Sequence, residues 1–285
     1  MLAIHKIFWY ELFTKAPILR QNEPQATMEN QEQVNSYIKA YEWGGPTSAL
    51  QLHHLKELSK MIRPGDTILD LACGPGPLLL ELAAIYPECH FIGADLSPTM
   101  LERLTKEAKR KGLKNVSVLC EDIRYLPSLD NQKVDLIITT SALHHIPDEE
   151  MLKQVFNKIH NLLKPDGGFY IFDFGQLKSK EARDICVAEV AKLAPPITAQ
   201  DYDLSLQAAY PIDLVFQFAK EELPKPFTAS ASSLFDFFYF LQSGPRAKPT
   251  QNAISRIKHC GKSLTLAMKM EHQMLRLLRR KNKVG

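Results

Sequence analysis

Between residues 67 and 174 the chain alternates strand-like with helix-like segments, and this order constrains the fold more than any other feature. Apolar runs typical of strands buried on both faces occur at 68–72, 136–138 and 169–172. Helix-like stretches of 10 to 17 residues separate the strand-like ones. Such alternation predicts right-handed crossovers and a mostly parallel sheet. We therefore expect an α/β fold with a doubly wound sheet.

The first strand-like run, "TILDLAC", passes through Gly-Pro-Gly-Pro into the helix-like run "LLLELAAIY". Gly74 and Gly76 have no side chains, so a ligand could approach their backbone closely. The N terminus of the following helix offers unpaired N–H groups and a partial positive charge. In open α/β sheets, ligands bind beyond the carboxyl ends of the strands. A plain connecting turn is the alternative interpretation of a single Gly-x-Gly.

Acidic residues recur at the ends of successive strand-like runs. Asp70 lies in the first run, Asp95 ends the second, and Asp122 follows the third. Asp95 comes 19 residues after Gly76, about where an acid binds ribose hydroxyls in dinucleotide folds. Asp122 could accept a hydrogen bond from an adenine amino group, with the N–H of Ile123 beside it. One such acid could be a solvated loop residue, but three in phase with three strands favour a nucleoside site.

The same turn does not suit a diphosphate. Leu79 stands where a dinucleotide motif has its third glycine, and Pro75 and Pro77 have no N–H to donate to a pyrophosphate. No Walker lysine pattern is present in the sequence. The site is therefore expected to bind a nucleoside without a diphosphate.

Five motifs in order resemble the class I S-adenosylmethionine-dependent methyltransferases over about residues 35–175. They are "ILDLACGPG", "FIGADLSPTML", "CEDI", "VDLIITTSALHHIP" and "LLKPDGGFYIFDF". The resemblance implies a Rossmann-like sheet of seven strands whose last strand is antiparallel, which the β-rich segment 227–242 would complete. It also implies S-adenosyl-L-methionine as cofactor and S-adenosyl-L-homocysteine as product. Pro77 departs from the family, where many members have a third glycine.

The resemblance also implies which residues hold the cofactor. The acid of the first strand and the glycine turn would surround the methionine part, and Asp95 would hold the ribose. Residues between 96 and 123 would flank the adenine and contact its edge, and Thr140 or Ser141 would lie near the sulfonium. The cofactor-binding residues predicted in this way are Asp70, Ala72, Gly74, Gly76, Asp95, Leu96, Met100, Asp122, Ile123, Thr140 and Ser141.

Methyl transfer from a sulfonium needs an aligned nucleophile and, for a protonated acceptor, a base. His144 and His145 follow the fourth strand, and His145 is the candidate catalytic base because imidazole titrates near about pH 6.5. The alternative is that a histidine here only holds the loop. Neither has a Cys or an acid spaced like a metal site, so no metal is predicted. Tyr37 and Tyr41 could cover the site or pack in the core.

The ends of the chain are set apart from the middle by composition. Residues 246–285 contain eleven Lys and Arg against one acid, whereas residues 1–245 contain 24 basic and 31 acidic residues. We expect an N-terminal extension at 1–30 with a helix, a methyltransferase domain at 31–245 and a basic tail at 246–285. The tail is expected to form an amphipathic helix over about 252–281. It could pack on its own domain, or contact an anionic membrane surface, RNA or an acidic protein.

The expected function is methyl transfer to a small-molecule acceptor in the cytoplasm, since the scattered cysteines indicate reduced thiols and no transmembrane segment is found. The alternatives are an RNA or protein methyltransferase guided by the tail, and a non-catalytic cofactor-binding scaffold. Beyond residue 175 the pattern is looser. We expect "PPITAQD" at 195–201 to be a loop and Pro211 to begin a helix.

Overall fold

An eight-stranded mixed sheet lies at the centre of the computed structural model, which describes residues 2–15, 17–24, 31–130, 132–277 and 279–284. The strand order is β3-β2-β1-β4-β5-β7-β6-β8. Strands β1 to β5 are parallel, β7 runs antiparallel to β5 and β6, and β8 runs antiparallel to β6. The strands are β1 Thr67–Leu71, β2 His90–Asp95, β3 Val116–Cys120, β4 Val134–Thr140, β5 Leu163–Phe174, β6 Phe227–Ser232, β7 Phe238–Ser243 and β8 Arg279–Val284.

The predicted seven-stranded sheet with an antiparallel last strand is confirmed by β1 to β7. The eighth strand, β8, was not predicted, because residues 279–284 were assigned in part to the tail helix. This strand extends the sheet at the free edge of β6. Its sequence, "RRKNKV", lacks the alternation of apolar and polar residues by which strands are recognised.

Eleven helices surround the sheet within the described ranges. They are α1 Leu2–Phe13, α2 Gln31–Ala40, α3 Ser48–Leu58, α4 Pro77–Ile85, α5 Pro98–Arg110, α6 Glu149–Leu162, α7 Lys180–Ala191, α8 Pro196–Ala208, α9 Ile212–Glu222, α10 Gln251–Ser263 and α11 Leu266–Leu277. Helix α5 begins as its sequence predicts, since the Ser97 hydroxyl accepts a hydrogen bond from the Met100 N–H at 3.2 Å. Thr47 occupies the N-cap of α3, but its hydroxyl donates to the Ala40 carbonyl instead.

Both faces of the sheet are buried, as the continuous apolar runs predicted. Leu69 of β1 and Ile137 of β4 belong to a cluster with helices α6 and α9, whereas Ile68 and Leu136 belong to a cluster with α3, α4 and α10. These four side chains have no exposed surface. Neighbouring residues of a strand point to opposite faces, so this alternation places helices on both sides of the sheet.

The prediction of a loop at 195–201 is wrong, because Pro196 begins helix α8. Proline is favoured in the first turn of a helix, where its missing N–H would have no partner. The two consecutive prolines therefore marked a helix start and not a break. Pro211 stands at the N-cap of α9, so the helix start predicted there is confirmed to within one residue.

The predicted tail helix at 252–281 is instead two helices, α10 and α11, followed by β8. The break occurs because Leu264 has an extended backbone and the Thr265 hydroxyl accepts a hydrogen bond from the Met268 N–H, which starts a new helix. Both helices pack against α3, burying Cys260, Leu264 and His272. Leu278, which the amphipathic pattern included, lies outside the described residues. No helix in the described ranges is long and apolar enough to cross a bilayer.

Candidate functional site

The turn after β1 contains two glycines that face different surroundings. Gly74 and Gly76 have φ angles of +54° and +65°, a left-handed conformation that favours glycine. A Cβ atom on Gly74 would meet nothing within 4 Å, whereas one on Gly76 would lie 2.6 Å from Cδ1 of Leu104 in α5. Gly74 therefore opens onto free space, and Gly76 permits the close packing of α4 and α5.

Asp95, at the end of β2, fixes the geometry of this turn. Its Oδ2 accepts a hydrogen bond from the Gly74 N–H and its Oδ1 accepts one from the Ser97 N–H, both at 2.8 Å. Burial raises the pKa of Asp95 above its ordinary value. Asp70 lies deeper in β1, where burial and the neighbouring Asp95 carboxylate raise its pKa to about 8. One carboxylate thus joins the turn after β1 to the start of α5.

A cleft of about 520 Å³ lies along the carboxyl ends of β1, β2 and β4. Nine of the residues predicted from the sequence line it: Ala72, Gly74, Asp95, Leu96, Met100, Asp122, Ile123, Ser141 and His145. Three predicted residues are not part of the lining, namely Asp70, Gly76 and Thr140. Asp70 is buried behind the cleft wall and Gly76 faces α5.

Two lining residues have strained backbones at the point where the strand order reverses. Ala72 follows β1 and Ser141 follows β4, and their φ angles are +51° and +53°. A left-handed conformation costs a residue other than glycine roughly 1–2 kcal/mol. Strands β1 and β4 are neighbours in the sheet, so both residues lie at the switch point where ligands bind in open α/β folds. Strain of this kind is concentrated at functional sites.

The end of the cleft near β3 contains an ion pair that the sequence did not indicate. The Arg124 guanidinium donates to both carboxylate oxygens of Asp122, with Nε–O distances of 3.0 Å. Burial alone would raise the pKa of Asp122, but Arg124 outweighs it and holds that pKa below its ordinary value. Leu96, also in the lining, is 47% exposed. The Asp122 carboxylate, predicted to accept from adenine, is here paired with Arg124.

At the other end of the cleft, residues 17–24 cross the loop that follows β4. Arg20 anchors this segment, because its guanidinium lies 3.9 Å from the centre of the Tyr210 ring and donates at 2.7–3.0 Å to four carbonyl groups. These are the carbonyls of His144, Ile146, Pro147 and Ala208. The Tyr210 hydroxyl donates to the Ile146 carbonyl at 2.7 Å. The N-terminal segment is thereby fixed beside the two histidines.

Glu23, three positions after Arg20, contacts both histidines. Its Oε2 lies 3.1 Å from Nδ1 of His145, and its Oε1 lies 3.7 Å from Nε2 of His144. The Ser205 hydroxyl of α8 donates to Glu23 at 3.0 Å. Asp173 of β5 contacts His144 from the opposite side, at 2.7 Å from Nδ1. Among the described residues, Nε2 of His144 has no hydrogen-bond partner.

The pKa values of Glu23 and His145 depend on each other. Burial alone would lower the pKa of His145, but the Glu23 carboxylate outweighs it, so the pKa of His145 is raised above its ordinary value. Conversely, burial would raise the pKa of Glu23, and the two histidines together with Ser205 lower it overall. The prediction of His145 as a base assumed an unperturbed imidazole. In the structure, His145 keeps its proton to higher pH.

Helices α2 and α8 form the remaining walls. Tyr37 of α2 lines the cleft and stacks on Tyr41, with ring centroids 4.7 Å apart. Burial raises the pKa of Tyr37 well above its ordinary value. Helix α8 contributes Ile197, Gln200, Asp201 and Leu204. This wall was not predicted, because the start of α8 was expected to be a loop. Only the spacing of Ile197 and Leu204 could have indicated a helix face.

Comparisons with known proteins give a consistent result. A family model described as a methyltransferase domain matches residues 62–223. The demethylmenaquinone methyltransferase of Lactobacillus johnsonii is 33% identical over 117 residues, which make up 40% of this chain and 46% of that protein. A ubiquinone/menaquinone biosynthesis C-methyltransferase of Teredinibacter turnerae is 29% identical over 147 residues, or 50% and 57% of the two chains. The chain thus spans about half the length of these relatives.

A solved structure matches over a larger part of the chain. The plantazolicin methyltransferase BpumL, in complex with S-adenosylhomocysteine, has a TM-score of 0.59 and covers 93% of this chain and 96% of its own. Its sequence identity is 14%, so the likeness concerns the fold.

Proposed function

Because the chain belongs to the methyltransferase domain family, we propose that it transfers the methyl group of S-adenosyl-L-methionine to a small-molecule acceptor. The family match confirms a methyltransferase domain, and it supports the resemblance to class I S-adenosylmethionine-dependent methyltransferases and the proposal of an enzyme that uses this cofactor. The acceptor and the roles of individual residues are proposals.

The observation that carries the proposal is a single cleft with two chemically different ends. At one end, Gly74 has open space where a side chain would be, and Asp95 holds the turn in place. At the other end, the same cleft reaches His145 and Glu23. A cofactor at the first end would therefore present its reactive group toward the second. The free space at Gly74 is the feature by which the site fits an adenosine-type cofactor.

We assign the cofactor contacts as follows. Asp95 would accept hydrogen bonds from the ribose hydroxyls, and Leu96 and Met100 would pack against the adenine. Ala72 and Ser141, in their strained conformations, would bring backbone close to the sulfonium. The bound cofactor supplies a methyl group on a sulfonium, whose departing sulfur becomes a neutral thioether that needs no acid. The chain must align the acceptor and exclude water, and alignment alone can supply up to roughly 7–11 kcal/mol.

A small acceptor is favoured by how the cleft is enclosed. Pro24, Tyr37 and Ile197 line the cleft from three separate elements, and its volume of about 520 Å³ is of the size that encloses small ligands. The demethylmenaquinone methyltransferase that matches this chain is named for a small-molecule acceptor. In the absence of a bound metal ion, His145 in its neutral form is the proposed base for a protonated acceptor, a role worth about 10² to 10⁴ in rate.

The test is to incubate the protein and methyl-labelled cofactor with separated metabolite, lipid, RNA and protein fractions. We expect label in a metabolite or lipid fraction and none in RNA or protein. Label only in RNA or protein would contradict the small-molecule acceptor. Calorimetric binding of S-adenosylhomocysteine without transfer into any fraction would favour a non-catalytic scaffold.

A further inference from the structure

Three side chains at the second end of the cleft are arranged like the ligands of a metal ion. Glu23, His144 and His145 each offer one ligand atom, and these atoms lie within 4.8 Å of one another. The two distances from the Glu23 carboxylate are 3.1 and 3.7 Å. A tetrahedral Zn²⁺ site with bonds of about 2.0–2.1 Å separates its ligand atoms by roughly 3.3 Å. Small side-chain adjustments would therefore bring all three atoms into coordination.

His144 is held in the way that metal-binding histidines are held. Asp173 lies 2.7 Å from its Nδ1 and also accepts from its backbone N–H at 3.0 Å, which fixes the orientation of the ring. A histidine that binds a metal through one nitrogen almost always donates the other to a carboxylate or carbonyl. The remaining nitrogen, Nε2, is directed toward Glu23. The side chain is 2% exposed, and this nitrogen has no hydrogen-bond partner among the described residues.

The third ligand comes from a part of the chain that the sequence could not connect with the histidines. Glu23 precedes them by more than a hundred residues, and the Arg20 anchor places it there. The prediction of no metal rested on the lack of a nearby acid in the sequence. Three protein ligands leave one tetrahedral position for a further group, as in catalytic zinc sites. Glu23 and His145 both line the cleft, so that position faces the cleft.

We propose that Glu23, His144 and His145 bind one divalent transition-metal ion of the Zn²⁺ type, with its open position toward the acceptor. If the proposed function holds, this position takes an acceptor with a hydroxyl or thiol. Coordination lowers the pKa of such a group, so that its proton passes to solvent. An oxygen or sulfur lone pair then forms the bond to the methyl carbon, while the electrons of the broken carbon–sulfur bond stay on the departing thioether. His145 is then a ligand and not the base.

The first experiment measures metal binding by the full chain after removal of metal with a chelator. Calorimetric titration with Zn²⁺ is expected to give one ion per chain, and Co²⁺ is expected to give the intense visible absorption of a four-coordinate site. Glu23→Gln and His145→Asn should each weaken Zn²⁺ binding at least 100-fold. Asp173→Asn, which alters the side chain that orients His144 and leaves the three ligands in place, should weaken it 10- to 100-fold.

Two variants control for adventitious binding, His259→Gln and Cys120→Ser, which alter an exposed histidine and an exposed thiol. They should bind Zn²⁺ as the unaltered chain does. Binding that is absent, or lost in these controls and retained in Glu23→Gln, would overturn the site. S-adenosylhomocysteine affinity, measured for every variant, shows that each is folded. If that ligand binds and Zn²⁺ does not, only the metal site fails; if neither binds, the proposed function fails too.

Discussion

Around Gly74 and Asp95, the proposed cofactor end of the cleft, the contacts join residues close in the chain. Around Glu23 and His145, the proposed acceptor end, they join residues far apart. Gly74, in the turn after β1, and Asp95, at the end of the neighbouring strand β2, are separated by 21 positions. Arg20 and the carbonyl of His144 are separated by 124 positions. The cofactor end is therefore part of the sheet itself. The acceptor end is assembled only when the N-terminal segment docks on the loop after β4.

The two ends differ in how rigidly they are held: the cofactor end is held by the backbone of the sheet, and the acceptor end by side-chain contacts. The backbone at the cofactor end is fixed by parallel strands and buried on both faces. The acceptor end combines residues 17–24, the loop after β4 and helix α8, which are held by side-chain hydrogen bonds to carbonyls and by ion pairs. Side-chain contacts of this kind can change without altering the sheet. We infer that acceptor selectivity resides in these elements and cofactor binding in the sheet edge.

The largest effect is expected from Asp95→Ala, which should weaken cofactor binding strongly and leave the acceptor end unchanged. The substitution removes the proposed ribose acceptor and two backbone hydrogen bonds to a charged group, each worth roughly 1.5–3 kcal/mol. We expect S-adenosylhomocysteine to bind about 100-fold more weakly by calorimetry. Glu102→Ala, at an exposed acid of α5, is the control and should leave affinity unchanged. An affinity loss of less than threefold in Asp95→Ala would contradict the ribose assignment.

Three glycine-to-alanine variants at or near the cofactor end distinguish effects on protein stability from effects on cofactor binding. Gly76→Ala should destabilise the protein by about 3 kcal/mol, because the new methyl group meets Leu104 in addition to backbone strain. Gly74→Ala should lower the free energy of unfolding only by the backbone strain, about 1 kcal/mol. It should nevertheless weaken S-adenosylhomocysteine binding at least tenfold. Gly112→Ala is the matched control, since Gly112 has a φ of +69° and open space at the end of α5. Chemical unfolding and calorimetry give both quantities.

The comparison of Gly74 with Gly112 decides how the turn is interpreted. If Gly74→Ala loses stability but no affinity, as we expect of Gly112→Ala, then nothing approaches the backbone of Gly74 and the turn is only a connection between β1 and α4.

The sequence predicted which residues lie together around Gly74 and Asp95, because its information there is local. Asp95 and Ser97 could be assigned from strand ends and helix starts, and both make backbone contacts within a few residues or across adjacent strands. The Asp122–Arg124 ion pair was not predicted, although the two residues are close in the sequence. In a loop, the direction of the Arg124 side chain relative to Asp122 is set only when the loop folds.

The acceptor end could not be predicted from the sequence in this way. Arg20 and Glu23 lie in a segment with no apolar period, and their partners are the backbone carbonyls and side chains of distant loops. Backbone carbonyls are the same in every residue, so a contact to them leaves no trace in the partner's sequence. The wall formed by α8 could not be predicted for a different reason, since a proline pair can mark either a break or a helix start.

Arg20→Ala tests the acceptor end separately. Without its guanidinium, four carbonyl contacts and the stacking on Tyr210 are lost, so residues 17–24 should dock less firmly, by about 2 kcal/mol. Amide hydrogen exchange in that segment should become roughly 30-fold faster. S-adenosylhomocysteine affinity should stay within threefold of the original. Lys15→Ala, at an exposed lysine, is the control, and an equal loss of cofactor affinity in Arg20→Ala would show that the two ends are not independent.

Asp70 tests the cofactor end through the pH dependence of stability and not through ligand binding. Its pKa is about 8 in the folded protein, mainly because it is buried, against an ordinary value of 3.8. Between these values the unfolded chain releases the proton while the folded protein keeps it, so stability should fall as pH rises from about 4 to 8. The slope from this group is at most about 1.4 kcal/mol per pH unit. Asp70→Asn, which cannot titrate, should flatten the unfolding free energy measured by urea between pH 5 and 8. The same slope in both proteins would mean that Asp70 is already ionised in the folded protein over this pH range.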